Sequence, residues 1–183
     1  MSFVNSSLRR TTVLGLAVFG SLAWADPSGS DGRSVRARLG GYQEVPVVVT
    51  TGSGEFRGRI DKSSGEIAYE FSYAGLQGSV TQAHIHLAQR SVNGGIVVWL
   101  CQSAANPAPA AVAAMTPLCA SPAFDSSGLI TAASVIGPGG AQQLNAGELA
   151  ELGNALRAGV AYVNVHTTLS PGGEIRGQID HRH

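Results

Sequence analysis

Charge, sulfur and aromatic rings are all scarce in this chain. Only 13% of its 183 residues are charged, with 12 Lys and Arg set against 12 Asp and Glu. A chain without net positive charge lacks the field that draws in phosphate backbones or anionic lipid, which sets aside nucleic-acid and membrane-surface partners. The 2 Cys are not in a CxxC arrangement, so neither a thiol redox pair nor a cysteine metal site is expected. No Gly-x-Ser-x-Gly elbow is present, and the glycine-rich Gly137-Pro138-Gly139-Gly140 is not followed by Lys-Ser/Thr, so it is a turn and not a phosphate cradle. Glu44 and Glu174 are not spaced as paired catalytic carboxylates. The 44% hydrophobic content nevertheless argues for a packed core rather than disorder.

The first 25 residues read as a secretory leader. Arg9-Arg10 precede the uncharged apolar stretch from Thr11 to Leu22, and Ala23-Trp24-Ala25 gives the small-x-small cleavage pattern before Asp26. The apolar stretch is too short to span a bilayer, and no later segment is long enough. Residues 26–33 read as a flexible N-terminal segment, and the domain is expected over 34–181, in the periplasm or outside the cell. Loss of Arg9 and Arg10 leaves the mature chain slightly acidic. In an oxidising compartment Cys101 and Cys119 are expected to form a disulfide, closing an Ala- and Pro-rich loop with no strand pattern.

The remainder alternates as strands do. Ile67, Tyr69, Phe71 and Tyr73 share one face, the preceding Glu55 to Ile60 forms the other arm of a hairpin, and Asp61 to Gly65 makes the turn. Arg57 and Arg59 are expected near Glu66 and Glu70. Other strands are expected over Ser34 to Leu39, Val80 to Ala88, Ile96 to Cys101, Gly128 to Ile136, Val160 to Thr167 and Glu174 to Asp180. One helix is predicted over Asn145 to Ala158, capped by Asn145, carrying Leu149, Leu152 and Leu156 on one face and closed by Gly159. Gly54-Glu55-Phe56-Arg57-Gly58-Arg59-Ile60-Asp61 matches Gly173-Glu174-Ile175-Arg176-Gly177-Gln178-Ile179-Asp180 at six of eight positions. A weaker echo links His84-Ile85-His86 with Asn164-Val165-His166, each followed by a Gly-Gly pair. Together these predict an approximate internal two-fold and neighbouring His-bearing strands.

Period-two alternation puts His84 and His86 on one face, and Tyr162, Asn164 and His166 on one face of another strand. If the strands are adjacent, three imidazoles meet, enough for copper or zinc with an open position. The alternative is a hydrogen-bonded network that fixes strand ends without any ion. His181 and His183 sit at the chain end, where adventitious binding is the better reading.

Tyr42-Gln43-Glu44-Val45-Pro46, Ala83-His84-Ile85-His86, Asn93-Gly94-Gly95-Ile96-Val97 and Tyr162 to Thr167 running into Gly173 to Gln178 resemble the CHRD domain, named for the repeats of chordin, from about Val35 to Ile179. Val47 stands where the family often has a second Pro. The resemblance implies an exported bacterial single-domain form with an all-β, antiparallel Greek-key sandwich or barrel, immunoglobulin-like or superoxide-dismutase-like, and one short peripheral helix. The role of that family is largely undefined; for this chain a non-enzymatic binding or structural role toward an extracellular or periplasmic protein or polymer is expected, with Glu44, Tyr162, Asn164 and Arg176 as binding or structural-network residues. Arg176 is expected to pair with a nearby Glu. A fainter likeness to copper/zinc superoxide dismutase supports the alternative, a copper- or zinc-binding protein using His84, His86 and His166 with weak redox activity. A full dinuclear set would need more histidines than the 5 in the chain.

Overall fold

The computed structural model describes residues 34–181, with His181 described in its backbone alone. The leader over 1–25, the segment over 26–33 and His183 lie outside the described residues. Eight strands alternate inward and outward side chains: β1 (Ser34–Gly40), β2 (Ser53–Ile60), β3 (Ile67–Ala74), β4 (Val80–Leu87), β5 (Gly95–Cys101), β6 (Phe124–Ile130), β7 (Ala161–Thr167) and β8 (Ile175–His181). They form one antiparallel sheet in the order β5-β4-β7-β8-β1-β2-β3-β6, curled into a nearly closed barrel. The all-β expectation holds, in its barrel form. Val35, Ala37, Phe56, Ile67, Phe71, Ala83, Ile85, Val163, Val165, Ile175 and Ile179 fill the interior.

The open seam lies between the outermost strands β5 and β6. Cys101 at the end of β5 is bonded to Cys119, as expected, and Gln102 pairs with Leu118 just before β6. Beyond β6, Ile136 donates its backbone N–H to Val97 at 2.9 Å. Main-chain groups of the β5 edge are thus partly satisfied by segments flanking β6, which blunts an edge otherwise open to pairing.

Several boundaries differ from the sequence reading. β6 begins earlier and stops at Ile130, because Thr131 and Ser134 close a capping box around a 3-10 turn over Ala132–Ser134. At its start, Phe124 stacks on Tyr73 with centroids 5.4 Å apart. The expected helix is α2 (Leu149–Arg157), which buries Leu149, Leu152 and Leu156, and Gly159 ends it at φ 69°. Asn145 does not cap it: its backbone N–H and its amide both donate to the Glu148 carboxylate, so the local box closes one turn too early. A single helical turn, α1 (Ala110–Ala113), lies in the disulfide loop. Arg57 faces Glu70 but ion-pairs with Glu55 at 2.9 Å, while Arg59 faces Ala68.

The two Gly-Glu-x-Arg copies lie on β2 and on β8 with the turn before it, on either side of β1. They are offset along it, since Arg36 faces Arg57 on one flank and Asp180 on the other. A local two-fold lies elsewhere. β4 and β7 are antiparallel neighbours in which His84 faces Asn164, His86 faces Tyr162 and Gln82 faces His166. Rotation about the His84–Asn164 pair exchanges His86 with His166 and the β4–β5 hairpin with the β7–β8 hairpin.

Candidate metal centre

With Ala83, Ile85, Val163 and Val165 committed to the barrel interior, period-two alternation turns His84, His86, Tyr162, Asn164 and His166 to the outer face of the sheet. An outward face normally meets water. Here every residue of β7 is buried. The β1–β2 connection brings Glu44 onto this face, where its Oε1 lies against Gly173 beside the Asn164 amide. The β4–β5 turn closes in from another side, with Asn93 donating to the Val45 carbonyl at 3.3 Å.

Beneath this cover His84, His86 and His166 converge, with one ring nitrogen of each within 4.8 Å of the others. Two of the rings are oriented alike. A backbone carbonyl only accepts, so His86 Nδ1 donates to Gly94 at 2.9 Å and His166 Nδ1 donates to Pro171 at 2.8 Å. Each acceptor lies in the turn that follows the ring's own strand, as the local two-fold requires. In a neutral imidazole this commitment leaves Nε2 as a lone pair, the tautomer that a carbonyl behind a ligating histidine imposes. His86 Nε2 has no partner, and neither nitrogen of the fully buried His84 has one. His166 Nε2 lies 3.1 Å from Asn164 Oδ1.

Burial keeps these rings uncharged. It pushes His84 down to about 2, with repulsion from His166 and His86 adding to the effect. His86 is pushed down to about 4 by burial against the bond to Gly94, and His166 is lowered by burial against the bond to Pro171. Neutral imidazole is the metal-binding form. A tetrahedral zinc or copper site, with bonds of about 2.0–2.1 Å, needs donor nitrogens about 3.4 Å apart, so the rings would close in by roughly 1 Å.

Aromatic and cationic groups flank the cluster in a continuous row. The Arg176 guanidinium sits 3.4 Å above the Tyr162 ring. Tyr162 lies parallel to His86 at 4.7 Å between centroids, and Trp99 meets His84 edge-on at 4.3 Å. Arg176 attracts Glu44 at a distance but makes no hydrogen bond to a carboxylate among the described residues. It donates instead to Asn93 Oδ1 at 3.1 Å and to the Val92 and Gln89 carbonyls at 2.8 and 3.4 Å. Those bonds tie β8 to the β4–β5 turn, which in turn holds the Gly94 carbonyl behind His86. Glu174 is likewise an anchor. Burial would raise its pKa, but hydrogen bonds from Thr50, Gln77, Thr167 and Gly78 outweigh that and hold it low.

The structure brings the three candidate ligands His84, His86 and His166 together, and of the separately expected network residues it sets Tyr162 on His86, Asn164 beside His166, Arg176 on Tyr162 and Glu44 beside Asn164. Sequence reasoning missed Trp99, which reaches His84 only because a bulge shifts the β4–β5 register between Ala83 and His84. The ion-free alternative did expect histidines bonded to strand-end backbone and Gly-rich turns, but not which carbonyls, Gly94 and Pro171, since a main-chain acceptor has no residue-specific signature. The Asn-Gly-Gly and Ser-Pro-Gly-Gly turns that carry them were the available signal. The family model described as CHRD domain matches residues 35–179. No curated protein and no solved structure matched the chain.

Proposed function

This chain belongs to the CHRD family, and from that premise we propose that it is an exported binding domain whose ligand is one copper or zinc ion held by His84, His86 and His166. The observation that carries the reading is the set of buried, unpartnered ring nitrogens: both of His84 and Nε2 of His86. A network retained only to fix strand ends would use its nitrogens, because a buried polar atom left unpaired costs about 1–3 kcal/mol. Here Nδ1 of His86 and of His166 is used for orientation, and Nε2 is left facing the cluster. A bound copper would supply one-electron chemistry and a bound zinc Lewis acidity; the protein's part is to fix the tautomers and exclude water.

The oxidising compartment implied by the leader and the Cys101–Cys119 disulfide supports an exported setting. Among the described residues one group of metal-donor side chains is found, which supports a mononuclear site over a dinuclear one. The experiment is titration of purified protein with copper and zinc in a His181→Ala/His183→Ala background, read by metal content and by Trp99 emission. Stoichiometric binding tighter than micromolar, lost in His84→Ala/His86→Ala, is the expected result. Absence of binding in the parent protein overturns the proposal and leaves a structural or protein-binding module.

A further inference from the structure

Glu44 is the buried acid that neither the barrel nor the three-histidine cluster accounts for. It is 5% exposed, and its Oε1 is buried with no hydrogen-bond partner. Its Oε2 accepts from the Val45 backbone N–H at a long 3.4 Å, and this bond, the Arg176 charge and the Asn164 amide together fail to offset the cost of burial. The acid is pressed against Gly173, whose φ of 127° is left-handed and whose missing Cβ would collide with Oε1. A carboxyl so poorly satisfied is expensive to bury unless something else in the site needs its charge.

Arg176 meets that need only in part. Its charge attracts the Glu44 carboxylate, but less than burial opposes ionisation, and its guanidinium is occupied by Asn93, Val92, Gln89 and the Tyr162 face and makes no hydrogen bond to Glu44 among the described residues. The link to the imidazoles runs through Asn164. Its Nδ2 faces the Gly173–Glu44 side and its Oδ1 faces His166 Nε2 at 3.1 Å. The negative end of the amide dipole thus points at the cluster, and Glu44 stands behind its positive end. Three neutral imidazoles contribute no charge, so a divalent ion among them would remain a buried double positive charge. Desolvation grows with the square of the charge, which makes this far more costly than a monovalent ion.

We propose that Glu44 is the counter-charge of a divalent cation held by His84, His86 and His166, acting through the Asn164 amide rather than as a fourth ligand. The inference rests on the metal reading above and adds to it the charge of the ion. In the metal-free protein burial raises the Glu44 pKa to about 7, and a cation in the cluster favours the ionised form.

The test compares Zn(II) with Cu(I), the latter held reduced, in the wild-type chain and in Glu44→Gln and Glu44→Asp, all lacking His181 and His183. Glu44→Gln keeps the shape and removes the charge. It is expected to weaken Zn(II) at least tenfold while Cu(I) changes less than threefold, and Glu44→Asp is expected to recover most of the Zn(II) affinity. Equal losses for both ions would make Glu44 a packing residue and overturn the inference. So would unchanged affinity for both. If the Gln variant does not fold, the Zn(II) to Cu(I) ratio of the Asp variant decides, and a tenfold shift from wild type overturns the proposal. Failure of the wild-type chain to bind either ion removes the metal reading itself, an outcome separate from any of these.

Discussion

His84 carries an imidazole that is 0% exposed and has no partner for either nitrogen, while His166 donates its Nδ1–H to the Pro171 carbonyl. The two should therefore respond differently to substitution. His84→Leu replaces an unsatisfied polar ring by an apolar group, so the metal-free protein should unfold in urea at the same stability or up to about 2 kcal/mol higher. His166→Ala deletes the bond to Pro171 and opens a cavity, and should cost about 2–4 kcal/mol. Both substitutions should abolish metal binding. A large stability loss in His84→Leu would show that its ring serves the fold.

At the scale of elements, the hairpins do the positioning. β4–β5 and β7–β8 each carry a histidine whose Nδ1 is held by the hairpin's own turn, and the antiparallel β4–β7 pairing brings the two together. The disulfide loop acts at the opposite end of β5, where it ties the seam of the barrel. Chain-entropy arguments give a loop of separation 18 a contribution of roughly 3 kcal/mol. Cys101→Ser/Cys119→Ser should lose about 2–4 kcal/mol by chemical denaturation. Metal affinity should persist at temperatures where the variant is folded, because the hydrogen bonds and ring contacts of the three histidines among the described residues are made elsewhere, to Gly94, Pro171, Asn164, Trp99 and Tyr162; loss of binding in the folded variant would contradict that separation.

For the whole molecule the buried rings imply a pH response with a definite sign. The folded pKa values of His84 and His86 are pushed to about 2 and about 4, below the unfolded value near 6.5, and His166 moves in the same direction. Below pH 6.5 the unfolded chain takes up protons that the folded chain cannot. The stability these rings contribute is therefore fully present above 6.5 and lost as pH falls. Glu44 opposes this: raised to about 7, it contributes stability below 4.5 that is lost as pH rises through 7. Three imidazoles outweigh one carboxyl, so the chelator-treated protein should show a melting temperature that falls between pH 6.5 and 4.5. The fall should be shallower in His84→Leu. A flat profile would mean that the rings are solvated.

Much of this was legible without coordinates. Alternation along His84-Ile85-His86 and Tyr162 to His166 fixed which side chains share a face, because successive strand residues point oppositely whatever the strand pairs with. The α2 leucines and the cysteine pair followed from equally local patterns. The Asn145 cap and the length of β6 did not, since competing hydrogen bonds of similar energy were available within a few residues. The echo between the two His-bearing segments pointed to β4 and β7 as neighbours; tertiary structure alone decided their register, that the outer face of these strands is roofed instead of wet, and that Glu44 comes to lie beside Asn164 across more than a hundred residues. Register, burial and the choice of partner for a buried charge depend on contacts distant in the chain, and no local pattern encodes them.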